Sequence, residues 1–315
     1  MVVAGYVELY KKGILEARAE KALAALEVCE LCPWACGVDR TAGDKGVCCT
    51  GRDAIVSSFG PHFGEERPLV GRGGSGTIFF ASCNMRCLFC QNYDISRLRH
   101  GRAASADQLA KMMLDLRDSG CHNINFVTPS HVIAQILEAL VIAARRGLGA
   151  PLVYNTGGYD SLEALALLDG VVDIYMPDIK YMDAATAKRL SGIKDYPGVV
   201  KAAVKEMHRQ VGDLVVDERG IAVRGLLVRH LVLPEGLAGS PEAMKFLAEE
   251  VSKDTYVNVM DQYYPCYKAH DNPPLDRRIT KEEFTAAVDA ALAAGLTRLD
   301  HLEPRAGRFR GDEND

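Results

Sequence analysis

Thr77-Ile-Phe-Phe-Ala81-Ser-Cys83-Asn-Met-Arg-Cys87-Leu-Phe-Cys90 is the stretch on which the reading of this chain turns. It begins as an apolar run of strand composition and breaks at once into a loop with three thiols. Three residues separate the first pair of cysteines and two the second. Three thiolates on one tight loop can bind three irons of a 4Fe-4S cube and leave the fourth iron without a protein ligand. The same thiols can hold zinc if a fourth ligand comes from elsewhere. Their place on the loop leaving a first strand favours the cluster.

Downstream, apolar runs near 123–127, 151–155, 171–176, 226–232 and 255–260 read as further strands. Helical stretches near 105–119, 130–146, 160–168, 183–209, 240–252 and 280–294 separate them. Ser105 and Thr280 stand where helix N-caps belong, the latter with Glu283 completing a capping box. Such alternation predicts an α/β fold with a parallel sheet and right-handed crossovers. Asp213 to Arg224 departs from it and reads as an inserted hairpin. Upstream, Tyr6 to Val28 has helical period, whereas Cys29 to Val70 is irregular and too poor in apolar periodicity for a core of its own. The organisation expected is an N-terminal helix with a Cys-rich metal-binding segment over 1–70, a main domain over 71–302, and a polar tail over 303–315.

Composition bounds the function. Over 315 residues, 48% apolar and 25% charged content is that of a globular protein, and a net charge of −5 offers no overall basic field to nucleic acid or anionic membrane. The longest apolar run, Ala134 to Ala144, is too short to span a bilayer. Met1 to Leu15 has no signal-peptide pattern, so the expected compartment is the cytoplasm. Ten cysteines in a reducing compartment read as metal sites or catalysis rather than disulfides.

Cys29-x-x-Cys32-Pro-x-x-Cys36, with Cys48 as the better fourth ligand and Cys49 as the spare, forms a second set. Four such thiolates suit structural zinc or a fully ligated auxiliary iron–sulfur cluster, and the spacing does not separate the two. Metal there supplies folding energy that the segment lacks. Cys266, in Tyr263-Tyr264-Pro265-Cys266-Tyr267 beyond the sixth strand, is either a buried thiol or, at the barrel rim, a hydrogen-atom donor or a ligand near the active site, with the tyrosines shaping a substrate wall. Cys121 reads as core. His122, His131, His208 and His230 read as packing or hydrogen-bonding residues, His230 being the first to test.

From the cysteine loop onward, most of the chain resembles the pyruvate formate-lyase-activating-enzyme branch of the radical S-adenosylmethionine (SAM) superfamily. It resembles still more the large uncharacterised relatives that share an N-terminal Cys-x-x-Cys-Pro segment and a phrase from Tyr181 upstream of Met207 to Gln210. The resemblance implies an open (β/α)6 partial barrel, with a 4Fe-4S cluster on Cys83, Cys87 and Cys90 and SAM across the carboxyl ends of the strands. Phe89 then stands beside the adenine, and Asn92 joins the SAM contacts. Asn155-Thr156-Gly157-Gly158 is similar to the branch's Asp-Thr-Asn-Gly, and Met176-Pro177-Asp178-Ile179-Lys180 to its Met-x-Asp-x-Lys. Those loops orient SAM in the branch and can hold a monovalent cation; Arg229 matches an arginine that approaches SAM. The chain departs at Val127-Thr128-Pro129-Ser130-His131, where the branch has Gly-Gly-Glu-Pro, leaving the Thr128 carbonyl or Ser130 to meet the SAM amino group. Asp178 and Lys180 are alternatively a strand-end salt bridge. The functional reading expects Asp178→Asn to leave the melting temperature nearly unchanged.

What the resemblance implies for function is an activating-enzyme-like oxidoreductase. It cleaves SAM reductively to a 5′-deoxyadenosyl radical and abstracts hydrogen, from a protein glycine in an activase, with flavodoxin or ferredoxin as reductant. A radical SAM enzyme acting on a small molecule or an RNA is the second reading. A non-catalytic iron–sulfur electron carrier is the third, and leaves the Met176, Asp178, Lys180 and Arg229 matches without a role.

Overall fold

Each run read as a strand from Thr77 onward becomes a strand in the computed structural model, which describes residues 4–300. The strands are β1 (Ala54–His62), β2 (Ser75–Phe80), β3 (Arg102–Ala104), β4 (Ile124–Val127), β5 (Leu152–Thr156), β6 (Ile174–Pro177), β7 (Val215–Val216), β8 (Ala222–Leu231) and β9 (Tyr256–Met260). Six of them, β2, β4, β5, β6, β8 and β9, lie parallel as successive neighbours. The free side of β2 is taken by antiparallel β1, and β9 pairs with β8 off the end of the path. The sheet is therefore an open (β/α)6 barrel that does not close between β2 and β9. The tail expected at 303–315, with the last residues of the expected barrel, lies outside the described residues.

Side-chain alternation splits the sheet into two faces. Ile78, Ile124, Phe126, Tyr154, Tyr175, Val228 and Val257 face the helices in the main core. Val153, Ile174, Met176 and Leu227 form a smaller inner core with Leu69, Leu214 and Ala222. The capping boxes stand as read, Ser105 with Gln108 and Thr280 with Glu283. The inserted hairpin is β7 against the start of β8.

Three differences from the sequence reading have local causes. The helical stretch from Tyr6 breaks into Gly5–Lys11 and Ile14–Ala24 at Gly13, which adopts φ 70°. The stretch 183–209 is two helices, Ala184–Ser191 and Tyr196–Val211, because Gly192 ends the first in the left-handed conformation. The segment read as irregular contains β1. A register shift between Val56 and Ser58 destroys its alternation, and Pro61 is tolerated in a strand near the sheet edge. Residues 54–62 thereby join the barrel sheet.

Candidate functional site

The loop after β2 enters its course under strain. Ser82 has φ 72°, disfavoured for a residue with a Cβ, and is held by its N–H donating to the Ile95 carbonyl at 2.9 Å. Cys83, Cys87 and Cys90 follow. Each sulfur meets a polar group: Met85 N–H at 3.3 Å from Cys83, and the hydroxyls of Ser191 and Ser96 at 3.1 Å from Cys87 and Cys90. Burial pushes the Cys83 thiol up to about 12 and raises Cys90 too, so a nearby metal charge is what would ionise them. A three-thiol set on one loop fits a soft metal such as iron or zinc. Among the described residues no three Cys, His, Asp or Glu side chains are drawn into a ready-made metal cage.

Facing this loop across a cavity of about 210 Å³ are Asp178, Lys180 and Arg229; Cys87, Phe89, Cys90 and Asn92 line the near side. Asp178 accepts from Arg229 Nε at 2.8 Å and from Lys180 Nζ at 2.6 Å. Burial works to raise the Asp178 carboxyl, but Arg229 and Lys180 outweigh it and hold it below the usual carboxylate range. Arg229 also donates to Asn155 Oδ1 at 2.7 Å. Asp178 thus stands buried between two cations, so removal of its charge is expected to lower stability, where the sequence reading expects little change. The loops after β5 and β6 are joined by the Tyr196 hydroxyl, which accepts from Lys180 N–H at 3.0 Å and lies 2.9 Å from the carbonyls of Gly157 and Asp178. Gly158 makes that approach possible: its φ is 79°, and a Cβ there would stand 2.6 Å from the Asp178 carbonyl oxygen.

The remaining expected SAM contacts are distributed differently. Phe89 is buried edge-on to Tyr181 and Tyr263, with centroids 6.2 and 5.9 Å away. Thr128 carries φ 61°, an outlier for a β-branched residue, at the carboxyl end of β4. The hydroxyls of Ser130 and Thr156 turn to each other at 3.0 Å, and Thr156 donates to buried Asp160 at 2.6 Å. These two brace the loops after β4 and β5 and do not line the cavity. Cys266 does not line it either; its segment lies against the cysteine loop. There Tyr267 stacks on Tyr93 at 5.3 Å, and Lys268 N–H donates to the Leu88 carbonyl at 2.9 Å.

Cys29, Cys32, Cys36 and Cys48 line one small enclosed space of about 10 Å³ together with Arg40, Ser130 and His131. A Cβ on Gly46 would stand 2.6 Å from Cys36 Sγ, so this turn needs glycine to let the sulfur in. Fully buried Arg40 donates to the Gly51 and His131 carbonyls and lies 3.6 Å from Cys29 Sγ. Trp34 Nε1 donates to the Asn84 carbonyl at 2.7 Å. The N-terminal segment therefore touches both the cysteine loop and the loop after β4. His122, His131, His208 and His230 all make structural hydrogen bonds; His230 bridges the Ile179 carbonyl and Ser240 Oγ at 2.8 and 2.9 Å.

Two residues that sequence reasoning missed belong beside this site. Glu65 and Glu66 precede the short helix Arg67–Val70, and their side chains reach within 3.8 and 4.0 Å of Arg229. An acidic pair in a segment read as irregular looks solvated; only the strand hidden before it shows that it turns inward.

The family model of the Radical SAM superfamily matches residues 77–218. An uncharacterised protein of Methanocaldococcus jannaschii is 33% identical over 294 residues, covering 90% of this chain and 80% of that protein. The pyruvate formate-lyase-activating enzyme of Clostridium pasteurianum is 24% identical over 194 residues, covering 59% of this chain and 74% of the enzyme. Among solved structures, a radical SAM methyltransferase from Sphaerobacter thermophilus aligns with a TM-score of 0.46 at 15% identity, over 70% of this chain and 64% of that one. No helix among the described residues is long and apolar enough to cross a membrane.

Proposed function

The chain belongs to the radical SAM superfamily, and we propose that Cys83, Cys87 and Cys90 hold its 4Fe-4S cluster while Asp178, Lys180 and Arg229 place SAM against it. Bound together, the cluster and SAM supply reductive cleavage of SAM and a radical able to abstract hydrogen from a carbon. The chain's own residues do the positioning. The observation that carries the reading is the shared cavity: the cysteine loop at the carboxyl end of β2 and the buried Asp178 ion pairs at the ends of β6 and β8 line one space. Ligands of parallel α/β folds bind at that end of the strands.

In this assignment Phe89, clamped by Tyr181 and Tyr263, offers a flat apolar face to the adenine, and Asn92 stands at the mouth of the cavity. Lys180 and Arg229 attract a carboxylate, and Asp178 fixes both cations. A monovalent cation has an anionic partner in Asp178. Asn155 fixes the far side of Arg229, while Thr128, Ser130 and Thr156 act through the course of their loops. Cys29, Cys32, Cys36 and Cys48 hold a second metal, zinc or an auxiliary iron–sulfur cluster, supported by their common enclosed space and the room Gly46 leaves for Cys36. Cys266, on a segment lying against the cluster loop, remains the candidate hydrogen-atom donor. The reductant is a low-potential carrier of the flavodoxin or ferredoxin kind.

Two substrate classes remain in competition. The similarity to a pyruvate formate-lyase-activating enzyme supports a protein glycine. The replacement of Gly-Gly-Glu-Pro by Val127-Thr-Pro-Ser-His131 departs from the activating enzymes and keeps a small molecule or an RNA as the second reading. The test of the shared chemistry is anaerobic reconstitution with iron and sulfide. The wild type should gain cluster absorbance and release 5′-deoxyadenosine from SAM on reduction, and Cys87→Ala should lose both. Full SAM cleavage by Cys87→Ala overturns the assignment.

A further inference from the structure

The inner face of the barrel carries further polar side chains beside the Asp178 ion pairs. Alternation puts Asn125 on β4 and Asn258 on β9 inside; Asn258 is the register partner of Arg229, and Asn125 pairs with Val153 of β5. Glu65 and Glu66, whose side chains are 8% and 4% exposed, approach Arg229 from the residues before Arg67–Val70. Asn258 Nδ2 donates to Glu66 Oε1 at 2.9 Å. Arg229, the cation they approach, is committed elsewhere: its hydrogen bonds go to Asp178 and Asn155, and its 3.8 and 4.0 Å contacts with the two glutamates are too long for hydrogen bonds.

Three oxygens among these side chains have no hydrogen-bond partner although they are fully enclosed: Glu66 Oε2, Asn125 Oδ1 and Asn258 Oδ1. Asn125 and Asn258 are 0% and 4% exposed and Glu66 3%. Each such acceptor is unfavourable until a donor arrives. Three such oxygens, all acceptors, describe the complement of a group that only donates. The electrostatics agree. Burial and the neighbouring Glu66 push Glu65 up from 4.5 to about 7, and Arg229 opposes this only in part.

We propose that Glu65, Glu66, Asn125 and Asn258 bind a cationic nitrogen, the amine or guanidine head of the molecule on which the radical chemistry acts. This rests on the proposed function for the identity of that molecule as substrate, and on the barrel interior alone for the site. A nitrogen seated there is fixed by charge and by three hydrogen bonds. The adjoining carbons of its carrier extend past Arg229 into the cavity that the cysteine loop borders. Abstraction is then directed to a carbon near a basic nitrogen, and uncharged analogues are excluded because they leave these acceptors unsatisfied.

Calorimetric titration of the full-length protein with 1,4-diaminobutane and with methylguanidinium, in excess chelator and against 1-butanol, tests the site without turnover. The wild type should bind at least one of the cations saturably and not the alcohol. Glu66→Gln should weaken that binding by at least ~10-fold, the scale of one charge-assisted hydrogen bond. Cys87→Ala should bind the cation like the wild type, so a failure of the cluster assignment and a failure of this one are read separately. Glu66→Gln also puts a donor where Oε2 stands, next to orphaned acceptors, so its melting temperature should hold or rise by about 2 °C. The proposal is overturned by absence of saturable cation binding, by equal binding in Glu66→Gln, or by tight binding of the alcohol. A melting temperature lowered by more than about 5 °C in Glu66→Gln overturns it too, making Glu66 a structural anchor, as does stoichiometric metal that Glu66→Gln removes.

Discussion

Asp178→Asn separates placement from folding, and the structure sets the size of both effects. The wild-type carboxylate accepts from Arg229 Nε at 2.8 Å and Lys180 Nζ at 2.6 Å, with side chains only 13–20% exposed. Asparagine can keep one acceptor, but its amide then presents hydrogens to the other cation, and two buried positive charges lose their shared anion. Removing one partner of a buried pair costs about 3–5 kcal/mol. Glu65 and Glu66, at 3.8 and 4.0 Å from Arg229, retain part of the compensation, so about 2–3 kcal/mol is expected here. That is a melting temperature lower by roughly 4–10 °C in a chain of this size. Lys180 and Arg229, no longer fixed, should place SAM poorly, and a displacement of ~1 Å can cost ~100-fold in rate. Thermal unfolding of the metal-free protein reads the first effect; 5′-deoxyadenosine release from the reconstituted protein, with SAM affinity alongside, reads the second. A lowered melting temperature with normal cleavage by the folded fraction would make the triad a structural ion pair. No change in either would show that the carboxylate carries neither task.

Further outcomes test other parts of the molecule. Cys32→Ala should remove zinc or additional iron, by elemental analysis, while leaving the absorbance of the cluster on the loop after β2; unchanged metal content refutes a second centre. Gly158→Ala must adopt φ 79° and place a Cβ 2.6 Å from the Asp178 carbonyl, so it should destabilise by about 2 kcal/mol or more and slow SAM cleavage together. A wild-type melting curve would mean the loop shifts freely. Glu65, ionising at about 7 in the fold against 4.5 ordinarily, favours the folded state when protonated. Its contribution is complete below 4.5 and is lost as pH rises through 7, so the stability advantage of Glu65→Gln should grow between pH 5 and 8, toward at most ~3 kcal/mol. His230, held down to about 4 by burial, works in the opposite sense: stability falls as pH drops from 6.5 toward 4, and a variant lacking the imidazole should lose that slope in acid unfolding.

The parallel strands were legible because each is a short apolar run between helical patterns, and their bounds fell within a few residues of the expected ranges. The cysteine loop was legible because its spacing is a local property of the chain. β1 was not, since a bulge and Pro61 erase the alternation on which strand reading depends. Glu65 and Glu66 were hidden for the same reason, lying just past that strand in a stretch with no period of its own. Ser130 and Thr156 show a different limit. Their positions on the loops after β4 and β5 follow from the pattern, but the direction of their hydroxyls is decided by Asp160, whose burial makes it gather every donor within reach.

The Cys-rich segment is the part whose role changes most once the fold is seen. As sequence it is a separate, core-poor attachment; in the structure it is wedged against the two loops that follow β2 and β4. Trp34 donates to the Asn84 carbonyl between Cys83 and Cys87, and Arg86 lies over the Trp34 ring at 5.9 Å. Arg40 holds the His131 carbonyl, and His131 Nε2 lies 3.0 Å from the carbonyl of Ala81, two residues before Cys83. Both routes run from the enclosed space between Cys29, Cys32, Cys36 and Cys48 to the cysteine loop through a few buried hydrogen bonds. A metal bound by the N-terminal segment would therefore order the backbone on either side of Cys83. The two cysteine sets, far apart in sequence character, act on one loop.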